Sequence, residues 1–287
     1  MTNRQTTVRR KKTTKNPFAV IILVALVIIA VVGIILYAIG CRYISDSGVK
    51  FIGFVKNGQP VKGTVKYQNG LSGELTKQAD SAFGRIVYST GDVYEGEIKG
   101  ILRHGEGTIT IKSTDEVCKG SFVNDKLTGY VECVSPNGAV YTGEVVDGNK
   151  HGVGKYIYPD GSYYYGQFQN NKRNGLGEQH NADGSAYYGS FVDDKKQGTE
   201  VVTFTLEDGS VYTGKCKQVF SNGDVYVGDY FNDRRTGKGK YVWATGHSYE
   251  GDFLNDMLHG TGAYDFNNGK APYVGEFENG QPVVSEE

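Results

Sequence analysis

A Tyr-x-Gly triplet opens a segment of about 23 residues, and that segment recurs down most of the chain. Tyr94, Tyr141, Tyr164, Tyr226 and Tyr249 open its plainest copies. A short fixed period constrains the fold more than any other feature. One such unit cannot bury a core of its own and is stable only when stacked on its neighbours.

Numbered from the opening aromatic, units start at Phe51, Leu71, Tyr94, Cys118, Tyr141, Tyr164, Tyr187, Tyr212, Tyr226, Tyr249 and Tyr273. Positions 1, 3 and 5 alternate large, Gly, large, as in Tyr249, Gly251 and Phe253, which is the period of a half-buried strand. Positions 7 and 8 are turn formers such as Asn170-Asn171 and Asn232-Asp233. Positions 16 and 18 are large again, as in Tyr156 and Tyr158, and position 21 is a turn glycine such as Gly161. Each unit therefore predicts one β-hairpin. The expected fold is all-β: an elongated, twisted antiparallel sheet of about eleven stacked hairpins over residues 51–282, followed by a tail, 283–287. The units at Phe51 and Tyr212 are shortened and the last is a half unit. Tyr212 precedes the next start by only 14 residues, so a break or sharper bend is expected there.

The pattern Y-x-G-x-[large]-x-[N/D]-[G/D]-x-x-H-G-x-G-x-Y-x-Y-x-D-G resembles the MORN repeat. Residues 141–161 and 249–269 match it nearly position by position. Cys118 in place of Tyr, Glu200 in place of Gly, and the units at Phe51 and Leu71 without His-Gly depart from it. The resemblance implies a role in protein contact or membrane attachment.

Residues 18–39 carry no charge and no strongly polar group. As a helix this run spans about 33 Å, enough for a bilayer core, so 18–40 is predicted to be a transmembrane helix. Before it, residues 1–17 hold Arg4, Arg9, Arg10, Lys11, Lys12 and Lys15 and no acid; after it comes Arg42. The positive-inside rule then places a basic tail in the cytoplasm and the repeats outside, in a single-pass cell-membrane protein. Residues 41–50 read as a linker. The stretch Ala38-Ile39-Gly40-Cys41 is similar to a lipoprotein cleavage box, which leaves lipidation of Cys41 open.

Beyond the tail, 32 acidic residues stand against 25 basic ones, which argues against a nucleic-acid partner. No C-x-x-C or paired Cys/His spacing signals a metal, no cofactor motif is present, and H-E-x-x-H and G-x-S-x-G are missing, so the reading is non-enzymatic. His104, His151 and His259 share position 11 and are accounted for by the period. Cys118 and Cys133 fall on opposing strands of one hairpin, where a cross-strand disulfide and two buried thiols are both open readings.

The expected function is a protein-binding or scaffolding surface. A structural stalk without a ligand and a module for anionic lipid heads or cell-wall polymer are the alternatives. With positions 1, 3 and 5 facing the core, positions 2 and 6 face away. Tyr165 and Tyr188 at position 2, Tyr163 just before, and Phe231 at position 6 form the expected contact patch. The plainer reading is that tyrosine follows β-propensity in a chain with 21 of them.

Overall fold

The hairpin turns set the geometry. Asn170-Asn171, Asp193-Asp194, Asn232-Asp233 and Asn255-Asp256 all have positive φ at both residues, between 48° and 72°. That is the two-residue turn whose twist matches paired strands, and Asn and Asp tolerate it best. The computed structural model describes residues 17–38, 41–46, 48–78 and 80–283. Twenty-two of its strands form one antiparallel sheet, and two more form a separate hairpin.

Next to each turn the register slips, as between Gly143 and Val145, Gly166 and Phe168, and Gly228 and Tyr230. The bulge leaves the position-4 carbonyl without a partner inside the hairpin, and the position-1 hydroxyl bonds it. Tyr94 donates to the Glu97 carbonyl, Tyr141 to Glu144, Tyr164 to Gln167 and Tyr226 to Asp229, at 2.6–2.9 Å. To reach it, the ring lies flat across the facing glycines of positions 3 and 14. A Cβ on Gly154 would stand 2.7 Å from Tyr141 Cε2. The glycines are thus required by the close approach of the ring.

The flat rings stack edge-on against position 5. Tyr164 meets Phe168 and Phe191, Tyr187 meets Phe191 and Tyr230, Tyr226 meets Tyr230 and Phe253, and Tyr249 meets Phe253 and Phe277, all at 4.9–5.4 Å between centroids. Each such contact adds about 0.5–1.5 kcal/mol beyond area burial. This ladder is the core, and it lies on one face of the sheet. It falls into two clusters, one over 49–122 and one over 118–277, bridged by Ile109 and Leu127.

Three expectations are corrected. First, the proposed linker 41–50 is strand: Cys41–Asp46 pairs with Val49–Lys56. Second, the unit placed at Leu71 starts at Gly73, which faces Val65; Leu71 closes the preceding turn through its carbonyl to the Tyr67 amide. Third, Tyr212 opens no unit of the main sheet. Gly198 pairs with Tyr230, Lys217 pairs with Val227, and the Cys216 carbonyl accepts from the Gly228 amide. Residues 195–198 and 215–219 together make the second strand of the Tyr187 unit, and residues 199–214 are an insertion between its positions 12 and 13. The insertion forms its own hairpin, Val202–Thr205 against Val211–Gly214. The sheet passes this point without a break, and the array has ten units, not about eleven.

A helix, Pro17–Ala38, precedes the sheet. Its described side chains, Phe18 and residues 21–35, are exposed and apolar apart from Gly33. Among the described residues no helix is long and apolar enough to cross a membrane. The basic tail 1–16, the end of the expected span at 39–40 and the last residues 284–287 lie outside the described residues.

Candidate binding surface

Period two sends positions 2, 4, 13 and 15 to the face opposite the ladder. There Tyr165 and Tyr188 flank Glu178, each directly across a strand pair from it. Adjacent strands set the two tyrosines about 10 Å apart. The inserted hairpin folds back onto this face. Tyr212 stacks on Tyr188 at 5.6 Å, Lys155 pairs with Glu207 at 2.9 Å, and the Glu207 amide donates to the buried Glu178 carboxylate.

The sequence-derived patch is therefore divided. Tyr163 stacks on His180 at 4.6 Å with Lys155 Nζ above its ring, and burial pushes its phenol up to about 12. His180 also touches Tyr188 edge-on at 5.6 Å and contacts Glu178 at 2.7 Å. Tyr163 and Tyr188 thus serve the docking of the insertion. Tyr165 instead lines an open groove of about 400 Å³ with Tyr130, Thr142, Glu144, Val153, Lys155 and Glu207. Tyr130 is 68% exposed and Val153 42%. Both are at position 13, which the period already marked as outward but which sequence reasoning did not weigh. Phe231, 56% exposed, lies elsewhere, in a row of exposed position-6 residues with Val123, Val146, Val192 and Leu254.

The basic residues of positions 9 and 10 are not a free cationic edge. Position-10 cations lie over the ladder rings: Arg173 over Tyr164 and Phe191, Arg235 over Tyr226 and Phe253. Each also pairs with position 8 of the next unit, as in Arg103–Asp125, Arg173–Asp194 and Arg235–Asp256 at 3.2–3.4 Å. These pairs tie one turn to the next. Lys150 and Lys196 differ: Asn171 and Asp233 of the next unit bond only their backbone amides. Burial lowers the Lys150 ammonium pKa, with Glu116 and Asp194 opposing.

Cys118 and Cys133 face each other directly and are bonded in the structure; Cys216 is a buried free thiol. Cys216 occupies position 14 of the Tyr187 unit, where the flat ring otherwise demands glycine. Among the described residues no group of three or more His, Cys, Asp or Glu side chains is placed to hold a metal ion.

The MORN repeat model matches residues 94–115, 118–140, 141–163, 164–186, 226–248, 249–271 and 273–285, about half of the chain. It passes over the unit that carries the insertion. No curated protein matches the chain. Among solved structures, the TCP domain of Drosophila melanogaster SAS-4, in complex with a proline-rich motif of Ana2, is 20% identical. That match covers 61% of this chain and 90% of that one, with a TM-score of 0.30. The TCP10 domain of Danio rerio CPAP, in complex with a peptide of STIL, is 16% identical over 75% of this chain and 94% of that one, with a TM-score of 0.36. Virginiamycin B lyase from Staphylococcus aureus is 12% identical over 86% of each chain, with a TM-score of 0.18. Likeness this distant carries no argument about function.

Proposed function

The chain belongs to the MORN-repeat family, and we propose that it is a non-enzymatic, membrane-tethered array whose outer face binds a protein partner. The groove at Tyr130, Val153 and Tyr165 carries this reading. An exposed Tyr130 and a half-buried Tyr165 with small and apolar neighbours, bounded by the Lys155–Glu207 pair, suit a partner's side chains. At 68% exposure Tyr130 packs little of its ring against the fold. The test is cross-linking of the full chain in its native membranes. Tyr130→Ser with Tyr165→Ser should fold normally and lose the species cross-linked to the unaltered chain; undiminished cross-linking overturns the reading.

The tether is the apolar run 18–39, with the basic residues before it setting a cytoplasmic N-terminus. The array then lies outside, where a bonded Cys118–Cys133 pair persists. Lys172→Cys, at the exposed start of a strand beside a turn, should react with a membrane-impermeant maleimide on intact cells. Reaction only after permeabilisation would reverse the topology. A second reading has one observation behind it. The exposed row Val123, Val146, Val192, Phe231 and Leu254 runs beside Lys195 and Arg234, which have no carboxylate at ion-pair distance among the described residues, a pattern suited to anionic lipid heads.

A further inference from the structure

From Tyr94 to Phe277 the aromatic ladder is interrupted once; before Tyr94 the core rests largely on the aliphatic Val65, Leu75 and Ile86. Phe168, Phe191 and Phe253 each meet two position-1 rings, whereas Phe122 meets only Tyr94. Tyr164, Tyr187, Tyr226 and Tyr249 each meet two position-5 rings, whereas Tyr141 meets only Phe168. Between Phe122 and Tyr141 the chain supplies small residues: Cys118 at position 1, Val145 at position 5 and Cys133 at position 16. Val131 replaces the position-14 glycine and covers Gly120, its Cγ1 2.7 Å from where a Cβ would sit. That fills the floor. Above it remains a cleft of about 340 Å³, lined by Phe122, Leu127, Val145, Tyr141 and the disulfide.

We propose that this cleft binds an aromatic side chain of a protein partner, the inserted ring taking the place of the missing position-1 ring beside Phe122. The occupant is specified by the repeat itself, since at every regular step the ring between successive position-5 residues is a phenol. Charge agrees. Arg103, paired with Asp125, stands 5.1 Å over Phe122 and Lys150 5.3 Å over Tyr141; Glu116 and Asp147 also line the cleft, so Lys150 is the cation left to complement the negative face of a ring. Among the described residues Lys150 has no carboxylate within ion-pair distance. An aliphatic side chain would fill the volume without using that cation. The cleft is on the face opposite the Tyr130 groove. The proposal thus extends the protein-binding reading but can fail separately from it.

The experiment is ligand-observed NMR on the full chain in nanodiscs, with N-acetyl-tyrosine amide as probe and N-acetyl-leucine amide as control. The tyrosine amide should give a saturable signal and the leucine amide none. Two variants fill the cleft by restoring what regular units carry there. Val145→Phe keeps the disulfide, and Cys118→Tyr with Val131→Gly rebuilds the flat ring. Either should weaken tyrosine amide binding by about tenfold or more. Tyr130→Ser with Tyr165→Ser should leave it unchanged. Equal response to the two amides, or an undiminished response in both filled variants, overturns the proposal. So does loss of the response in the outer-face variant alone.

Discussion

Two disturbances of the repeat are opposites. At Cys118 the period is kept but the large residue is lost, and the ladder opens into a cleft. At 199–214 sixteen extra residues interrupt a strand, yet Tyr187 still meets both Phe191 and Tyr230. The core depends on what occupies each position and hardly on chain continuity. A hairpin can leave the sheet because it satisfies its own backbone and re-enters in register. A missing ring cannot be replaced from elsewhere in the chain, because every other ring is held by its own hairpin.

The largest effect tests the ladder as a whole. Burial raises the phenol pKa of Tyr94, Tyr141, Tyr164, Tyr187 and Tyr226, and that of Tyr249 to about 12. A raised folded pKa stabilises below the unfolded value near 10, and the stabilisation is lost as pH climbs from there. The unfolded phenol is already half ionised at pH 10, so each group loses about 1 kcal/mol from there to pH 11, and six remove roughly 6 kcal/mol. Lys150 and Lys196, whose pKa burial lowers, act in the opposite sense over part of that range, but two do not offset six. Strand circular dichroism and phenolate absorbance should therefore change together just above pH 10. Gradual phenolate formation with the sheet intact would contradict a continuous buried ladder.

Single residues sharpen the same contrast. Tyr226→Ala removes a ring held on both sides and should cost about 4 kcal/mol in urea unfolding. Gly239→Val puts a side chain where Tyr226 Cε2 stands 2.5 Å from an added Cβ, and should cost about 3 kcal/mol. Tyr226→Cys with Gly239→Val copies the Cys118–Val131 arrangement and should cost at least about 1 kcal/mol less than the two singles summed. Strict additivity would mean that Val131 does not compensate for the missing ring. At the natural gap, Cys118→Ser with Cys133→Ser opens a link across a separation of 15 residues and should cost about 3 kcal/mol. An unchanged midpoint would show that the flanking strands close the gap unaided.

Much of this was legible in residue types. Tyr at 1, Gly at 3 and 14 and Asn-Asp at the turn each answer a local steric demand, so the hairpins and the buried face follow from them. The links between units were readable too, since Arg173 and Asp194 sit 21 residues apart, almost one period. Leu71 misled because an apolar residue at nearly the right spacing can equally close a turn. The insertion was hidden for a stronger reason. Tyr212 keeps its motif, its hydroxyl bonding the Lys215 carbonyl as in a true unit. Val202–Thr205 and Val211–Gly214 alternate like any sheet strand. Local pattern gives a strand's partner in its own hairpin and not its place in the sheet. For the same reason Tyr188 could not be seen as covered, whereas Tyr130 could have been found by extending the outward count to position 13.

The smallest expected effect is the most discriminating. Deleting 199–214 joins Gly198 to Lys215 and leaves a 23-residue unit whose register the structure already shows, Gly198 opposite Tyr230 and Lys217 opposite Val227. The deletion should change unfolding free energy by no more than about 1 kcal/mol, because the surface contacts it removes are weak and the Glu178 carboxylate, which the Glu207 amide bonds, returns to water when the hairpin leaves. What it takes away is the Tyr188–Tyr212 stack and the Lys155–Glu207 pair. Tyr188 should then become more exposed, detectable by phenol-directed surface labelling. If the deletion instead cost several kcal/mol or broke unfolding into two steps, the hairpin would be holding the two parts of the strand together. The insertion would then belong to the core, and the contrast with Cys118 would be one of degree. A stable deletion variant leaves the hairpin one remaining office, the wall that Glu207 gives the Tyr130–Tyr165 groove, and partner cross-linking in that variant reports whether the wall is needed.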